Sequence, residues 1–518
     1  MRLSRWIIIG GSCLIAVAGT VSVFGYGILV GRFQLAPYDW IRENVWQAGA
    51  IQAVVAPSLE SSLQSEGTVK IETNLLYLGS KTVNESNPFG LTGGGGAIKS
   101  VRGRVFGVDR IGIFFEYSPS SAEAPASLRV LDLNFPETNR AQFIAEMRRI
   151  VSDAEFQWEF DRYFRVLDFE IREVNTEFEV YVSYFHWDTQ RKGKALRIAR
   201  MRVASLDALG GERDWQVIYE SSPRVEFGEY PHTSMKSNHT GGRMVISKNG
   251  KLLLGTGDQQ LDGVLYPLSA SQDGTVAYGK IIEIDLESIE ARIFAKGIRN
   301  PQGLLIDTEG RIWETEHGPR GGDELNLIEQ GENYGWPDVS YGTGRMVWLP
   351  KPGEGRHVGF RAPVYAWVPS IGISNLIQIG SQPLQWSGDF LVSSLKGVTL
   401  FRLRVIEGRV VVSEPIQIGQ RVRDLQQLDD GRILILADDA RFVEISILGT
   451  QIKIASLTAE EQRFGLRERL KACQVCHSFT AQAPIGYAPS LAGVYGRRLG
   501  AHIRYRLAGF GEVSVKFS

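Results

Sequence analysis

The sequence predicts an all-β protein built around a β-propeller, and three observations carry that expectation. Glycine is abundant, at 57 of 518 residues, and aromatic residues make up 10%, which suits many tight turns between short buried strands. Long helical periodicities are few between about Glu66 and Ile454. Within that stretch one unit recurs, a turn and then a short apolar run. It reads Lys248-Asn249-Gly250 before Lys251 to Leu254, Glu309-Gly310 before Arg311 to Trp313, Ser387-Gly388 before Asp389 to Val392, and Asp429-Asp430-Gly431 before Arg432 to Ile435. Asn-Gly and Asp-Gly turns supply the positive φ that a hairpin requires. A β-sandwich or a parallel β-helix has similar ingredients, but the long, irregular spacing fits four-stranded blades better than short solenoid coils.

The elements divide the chain into four parts: an anchor over 1–35, a membrane-proximal connector over 36–65, the propeller over 66–455 and a small α-rich domain over 456–518. Trp6 to Val30 carries no charge and exceeds the roughly 20 residues that cross a bilayer as a helix. Arg2 and Arg5 precede it, so the positive-inside rule leaves the N-terminus in the cytoplasm and sends the bulk of the chain to the periplasm, anchored to the inner membrane. A cleaved signal peptide is the alternative, since Ala16-Val17-Ala18 resembles a cleavage site. Pro37 to about Ser58 has helix-compatible spacing. Ser456 to Glu461 has the capping residue and early acidic side chains of a helix start. The net charge of −1 argues against a nucleic-acid partner.

Only three cysteines occur, and Cys13 lies in the anchor. Cys473, Cys476 and His477 form C-x-x-C-H, the attachment signature of c-type haem, with two thiols spaced for the vinyl groups and His477 as proximal iron ligand. A thioredoxin-like dithiol would need a βαβ context, which is missing. The run Ala488 to Arg497 resembles the loop and helix that follow the haem motif in class I cytochromes c. No methionine follows Cys476, so His502 as distal ligand, a five-coordinate iron and a truncated domain all stay open.

Residues 315–326, Thr-Glu-His-Gly-Pro-Arg-Gly-Gly-Asp-Glu-Leu-Asn, place more polar chemistry on one loop than a turn requires. Gly318 and Pro319 fix a backbone that can present carbonyls, and Asp323 and Glu324 offer hard oxygen ligands, a combination calcium prefers. A solvated turn whose acids cap the next element is the plainer reading. Around it stand Gly297-Ile-Arg-Asn-Pro-Gln-Gly-Leu304 and Gly331-Glu-Asn-Tyr-Gly-Trp-Pro337. In this order the three segments resemble the glucose/sorbosone dehydrogenase family, the soluble quinoprotein aldose dehydrogenases. Pro363 to Ile371, Gly388 to Lys396 and Arg421 to Asp424 extend the likeness, which covers about Asn238 to Asp438.

The resemblance implies a six-bladed propeller carrying pyrroloquinoline quinone (PQQ) over calcium. It implies His239, in Asn238-His-Thr-Gly-Gly-Arg243, as general base, a task imidazole suits because its unperturbed pKa lies near working pH. A buried, hydrogen-bonded core histidine is the other reading of that residue. Lys396, Arg421 and Arg423 would grip the PQQ carboxylates; Arg299 and Asn300 would face the quinone oxygens, with Arg299 also catalytic, and His317 would shape the platform. Gly318 and Pro319 would supply calcium carbonyls, and Glu324 and Tyr334 resemble a second, structural calcium site. Asn238, Asp258 and Gln259 would line the substrate pocket. The expected activity is oxidation of an aldose hydroxyl to a lactone, with electrons passing through the haem to a respiratory acceptor. A calcium-dependent lactonase and a non-catalytic sugar- or partner-binding propeller are the competing classes, since a fold alone does not decide function.

Overall fold

The computed structural model describes residues 67–83, 90–149, 160, 164–226, 239–263, 269–343, 352–450, 502–507 and 511–516. The expected anchor, the connector, Asn238 and the Cys473-Cys476-His477 motif lie outside the described residues. Among the described residues no helix is long and apolar enough to cross a membrane.

Six antiparallel sheets follow one another along the chain. The first five begin with innermost strands Ala97–Val101, Val166–Val174, Gly241–Ile246, Pro301–Ile306 and Ile373–Gln378, and the sixth with Val422–Gln427. Each innermost strand lies beside the next, and the sixth returns to the first. This is the six-bladed propeller. The sixth blade is completed from the start of the chain: Leu76–Thr82 pairs beside Phe442–Thr450, and Thr68–Glu72 adds the outer edge.

The recurring sequence unit turns out to be the first hairpin of blades three to six. Gly250, Gly310, Gly388 and Gly431 have φ of 78°, 83°, 81° and 86°, a backbone region that glycine enters without a Cβ penalty. Apolar faces interlock between blades, as where Trp313, Leu325 and Trp367 of blade four meet Ile373, Leu376 and Phe390 of blade five.

The axis is polar. Arg243 of blade three reaches Asp168 Oδ1 of blade two and Asp424 Oδ2 of blade six, both at 3.2 Å. Asp424 also accepts from Asn375 Nδ2 of blade five at 2.5 Å and from the Ile98 amide of blade one at 2.9 Å. Lys99 lies 3.8 Å from Asp168 and 2.6 Å from Glu170. Such a network is stable only when every member is matched, because an unpaired buried charge is costly.

In blades two to six the innermost strand breaks register near its start, at Val166/Asp168, Gly241/Met244, Pro301/Gly303, Ile373/Leu376 and Val422/Asp424. A bulge re-aims the side chains it carries. Here it frees Leu167, Arg243, Gln302 and Arg423 from the ladder, and all four line one cavity at the axis.

A second unit comprises Asn74–Tyr77 and Leu448–Ser518. Its described part beyond residue 450 is an antiparallel hairpin, His502–Leu507 with Gly511–Lys516. The domain over 456–518 was expected to be α-rich; within this described part Ile503, Tyr505, Val513 and Val515 alternate at the two-residue period of a strand.

Candidate active site

His239, Arg299, Asn300, Arg421 and Arg423 stand just before, or at the start of, an innermost strand, and His317, Gly318 and Pro319 lie on the loop after Glu316, so the propeller gathers them at one end of its axis. His239 immediately precedes the third blade. Its Nδ1 lies 2.8 Å from Asp258 Oδ1, and its Nε2 lies 3.1 Å from Arg299 Nη2. A guanidinium can only donate, so Nε2 is the acceptor and the imidazole proton sits on Nδ1, directed at the carboxylate. Asp258 is fully buried, and its other oxygen accepts from Trp336 Nε1 at 2.8 Å while the Gln260 amide donates to Oδ1 at 2.7 Å. Burial alone would raise its pKa; His239, Arg299 and the Gln260 amide outweigh it and hold the carboxyl below the ordinary range.

Asp258 and Gln259 are the residues expected in the substrate pocket. Both are buried, Gln259 at 2% exposure; Asp258 orients the imidazole, and Gln259 Nε2 donates to the His239 carbonyl at 3.2 Å. Gln259 Oε1 is a buried acceptor with no partner among the described residues. That orphan marks a place where a donor from outside the chain would be satisfied.

Arg299 is held from three sides. Its guanidinium lies 5.1 Å over the Trp336 ring, its Nη1 donates to the His317 carbonyl at 2.7 Å, and its amide donates to Glu316 Oε2 at 2.5 Å. The Asn300 amide shares that carboxylate at 3.2 Å, and Asn300 Oδ1 accepts from Gln302 Nε2 at 3.0 Å. Trp336 and Glu316 are supports that the sequence reading missed. The signal was present in the Gly-Trp-Pro and Thr-Glu-His contexts, but their roles depend on distances that sequence does not carry.

The loop 317–323 is a closed cradle. A Cβ on Gly318 would sit 2.2 Å from the Gly321 carbonyl oxygen and 2.3 Å from that of Gly322. Asp323, expected as a metal ligand, is instead spent on the loop itself. Its carboxylate accepts from the Gly318, Ile371 and Ile373 amides at 3.0 Å each and from Ser370 Oγ at 2.7 Å. Adjacent strand residues point to opposite faces, so Glu324 turns instead toward Glu316, its register partner. Burial and then the Glu316 charge push the Glu324 carboxyl up. Tyr334 donates its hydroxyl to the Leu327 carbonyl at 2.6 Å and accepts from the Glu329 amide at 2.9 Å, which leaves its backbone carbonyl rather than its side chain to a metal. Among the described residues no cluster of three or more His, Cys, Asp or Glu side chains is placed to hold a metal; the cradle fits calcium through carbonyl oxygens, the donors this hard cation accepts.

Blades five and six supply cations. Arg423 is buried and paired with Asp438 Oδ1 through Nη2 and, at 3.1 Å, through Nε. Half-exposed Arg421 reaches Asp438 Oδ2 at 3.1 Å and the Leu395 carbonyl at 3.4 Å. Lys396, next in the chain, is exposed and held by its amide to the Ile371 carbonyl at 3.1 Å. Arg421 and Arg423 thus share Asp438, and Lys396 follows the Leu395 carbonyl that Arg421 reaches; such charges suit a polycarboxylate.

The sequence profile of the glucose/sorbosone dehydrogenase family matches residues 167–444. The chain belongs to this family. Over 278 residues it is 28% identical to the aldose sugar dehydrogenase YliI of Escherichia coli, spanning 50% of this chain and 70% of that one. It is 32% identical over 273 residues to an uncharacterized protein of Synechocystis, spanning 50% of this chain and 64% of the relative. A shorter match, 32% over 127 residues, relates 20% of this family member to 27% of the quinoprotein glucose dehydrogenase B of Acinetobacter calcoaceticus. Among solved structures, a glucose dehydrogenase (21% identity) and the apo-form of the soluble aldose sugar dehydrogenase from Escherichia coli (20%) each superpose with a TM-score of 0.54. They cover 72% and 71% of this chain and 99% of theirs, a likeness that shows the propeller fold.

Proposed function

We propose that this family member is a PQQ-dependent aldose dehydrogenase that oxidises a sugar hydroxyl to the lactone. One observation carries the reading: the His239 imidazole, its Nδ1 proton directed to buried Asp258, meets the Arg299 guanidinium at Nε2. Once a substrate hydroxyl takes the place of the Arg299 N–H at Nε2, His239 Nε2 accepts the hydroxyl proton, and Asp258 stabilises the imidazolium that results. Arg299 is fixed in advance by Trp336 and His317, so it stabilises developing negative charge without reorganising. Lys396, Arg421 and Arg423 would hold the carboxylates of PQQ, and the carbonyls of Gly318 and Pro319 would hold calcium. When bound, the ortho-quinone supplies a two-electron acceptor for the carbon-bound hydrogen.

The C-x-x-C-H motif supports a covalent haem as the next electron carrier, and the Trp6 to Val30 segment supports an inner-membrane anchor with the propeller in the periplasm. The cation set separates this reading from a lactonase, which needs a metal and a base but no tricarboxylate site.

The test is dye reduction by quinone-free protein given calcium and PQQ, across a panel of aldoses, with His239→Ala as control. Reduction that depends on PQQ and is lost in the variant supports the dehydrogenase. Absence of PQQ binding would overturn it.

A further inference from the structure

Lys280, the first residue of the strand Lys280–Asp285 in blade three, is fully buried. Its three N–H donors go to three backbone carbonyls, those of Ala270 at 2.7 Å, Ser271 at 3.1 Å and Tyr278 at 2.7 Å. A buried ammonium is costly even when its donors are met, and an apolar side chain of the same length would fill the space without that cost. All three acceptors belong to one loop, 269–279, so the ammonium draws both ends of that loop onto one point. Gly279, at a φ of 69°, seats the loop closely: a Cβ there would stand 2.0 Å from Ser271 Oγ.

The gathered loop rests on residues that set the site. The Ser271 carbonyl that meets Lys280 also accepts from the Gly297 amide at 3.0 Å, and Ser271 Oγ donates to the Ile298 carbonyl at 2.8 Å, one residue before Arg299. Gln272 exchanges side-chain hydrogen bonds with Asn333 at 2.7 and 3.1 Å and donates to the Trp336 carbonyl at 2.6 Å. Trp336 lies under the Arg299 guanidinium and donates to Asp258, which fixes the His239 imidazole. Direct contacts therefore run from Lys280 through Ser271 and Gln272 to both partners of that imidazole.

We propose that Lys280 is a positioning residue for the dehydrogenase reaction: its ammonium gathers the loop that holds Arg299 and Trp336, and through them the Asp258–His239 pair, in place for proton transfer, a role that rests on the functional reading above. Burial pulls its pKa down to about 7, Asp273 opposing that fall and Lys296 adding to it, so the test is run below that value, where the ammonium is charged. It uses the full chain, first quinone-free and then given calcium and PQQ. Wild type is compared with Lys280→Met and with Gln272→Leu, which cuts the tie to Trp336 and leaves the three carbonyls in place; native near-UV circular dichroism is required of each. Two readouts separate positioning from plain stability: the Nδ1–H resonance of His239 in histidine-labelled, quinone-free protein, assigned with His239→Ala, and the split between kcat and KM in dye reduction. Both variants should show about tenfold lower kcat with KM within about twofold of wild type, together with a displaced imidazole resonance. Lys280→Ala, whose carbonyls lie open to a small cation, should regain part of its kcat in methylammonium, and Lys280→Met should not. Wild-type kcat and resonance in folded Lys280→Met would overturn the proposal, even with a lowered denaturation midpoint; if that variant does not fold, Gln272→Leu decides on the same terms. Wild type that reduces no dye with any aldose would overturn the dehydrogenase reading, whereas an unchanged resonance in the variants would overturn the role of Lys280 independently of it.

Discussion

His239 and Arg299 meet nitrogen to nitrogen, and that contact places the proton. Because Arg299 cannot accept, the imidazole must, and Asp258 must take the other ring proton. Asp258→Asn keeps the size of the side chain but lets its amide present a donor to Nδ1, which favours the wrong tautomer. The expected result is a fall of about 10²- to 10⁴-fold in kcat with little change in KM, measured by steady-state dye reduction. Its pH dependence has a defined sign. The folded-state pKa of Asp258 is depressed, so its charge stabilises the fold above the unfolded value near 3.8 and that contribution disappears as pH falls through the lower folded value. Denaturant titrations should therefore show wild type and Asp258→Asn differing near neutrality and converging in acid below about pH 4. Trp336→Phe keeps a ring under Arg299 but removes the donor to Asp258 Oδ2; a loss of about tenfold in kcat is expected from one missing hydrogen bond to a charged group. The sequence made His239, Arg299 and Asn300 legible through motif order. Chain adjacency said nothing of the burial of Asp258 and Gln259, beside a turn with positive φ of 54° and 65° at Gln259 and Gln260.

At the scale of elements, the loop over 317–323 and the strand beginning at Ile373 act as one piece, tied by Asp323. Gly318→Ala would drive a methyl into two carbonyls. The expected cost is on the order of 2–4 kcal/mol, seen as a lowered denaturation midpoint together with weakened calcium-dependent PQQ binding. Hairpins of blades three to six were legible because each turn carries glycine. The equivalent turn of blade two uses Asn175 at a φ of 56°, and that of blade one uses Arg102 and Gly103 at 50° and 75°, so their turn chemistry is less conspicuous. The bulges that open the innermost strands had no sequence signature at all, since they answer to the geometry of the axis rather than to local propensity. The helix expected from the capping residues near Ser456 lies outside the described residues, while the alternation over residues 502–516 carries the strand period of the C-terminal hairpin.

For the molecule as a whole, Arg243 joins blades two, three, four and six, the fourth through the Gln302 carbonyl at 2.9 Å. Arg243→Met would fill similar volume and leave Asp168 and Asp424 without their shared cation. The expected loss is about 3–5 kcal/mol in chemical denaturation. Restoring charge balance with Asp424→Asn in the same chain should recover part of it. Closure of the sixth blade has a further consequence, for biosynthesis. Residues 68–82 are made early, yet their partner strand ends with Thr450, roughly 370 residues later. At about 5–20 residues per second the ribosome needs on the order of tens of seconds to supply it. For that interval the nascent chain carries an unpaired edge, the kind of surface that invites intermolecular pairing. Production of this protein should therefore be limited by chaperone supply and translation speed rather than by the stability of the finished ring.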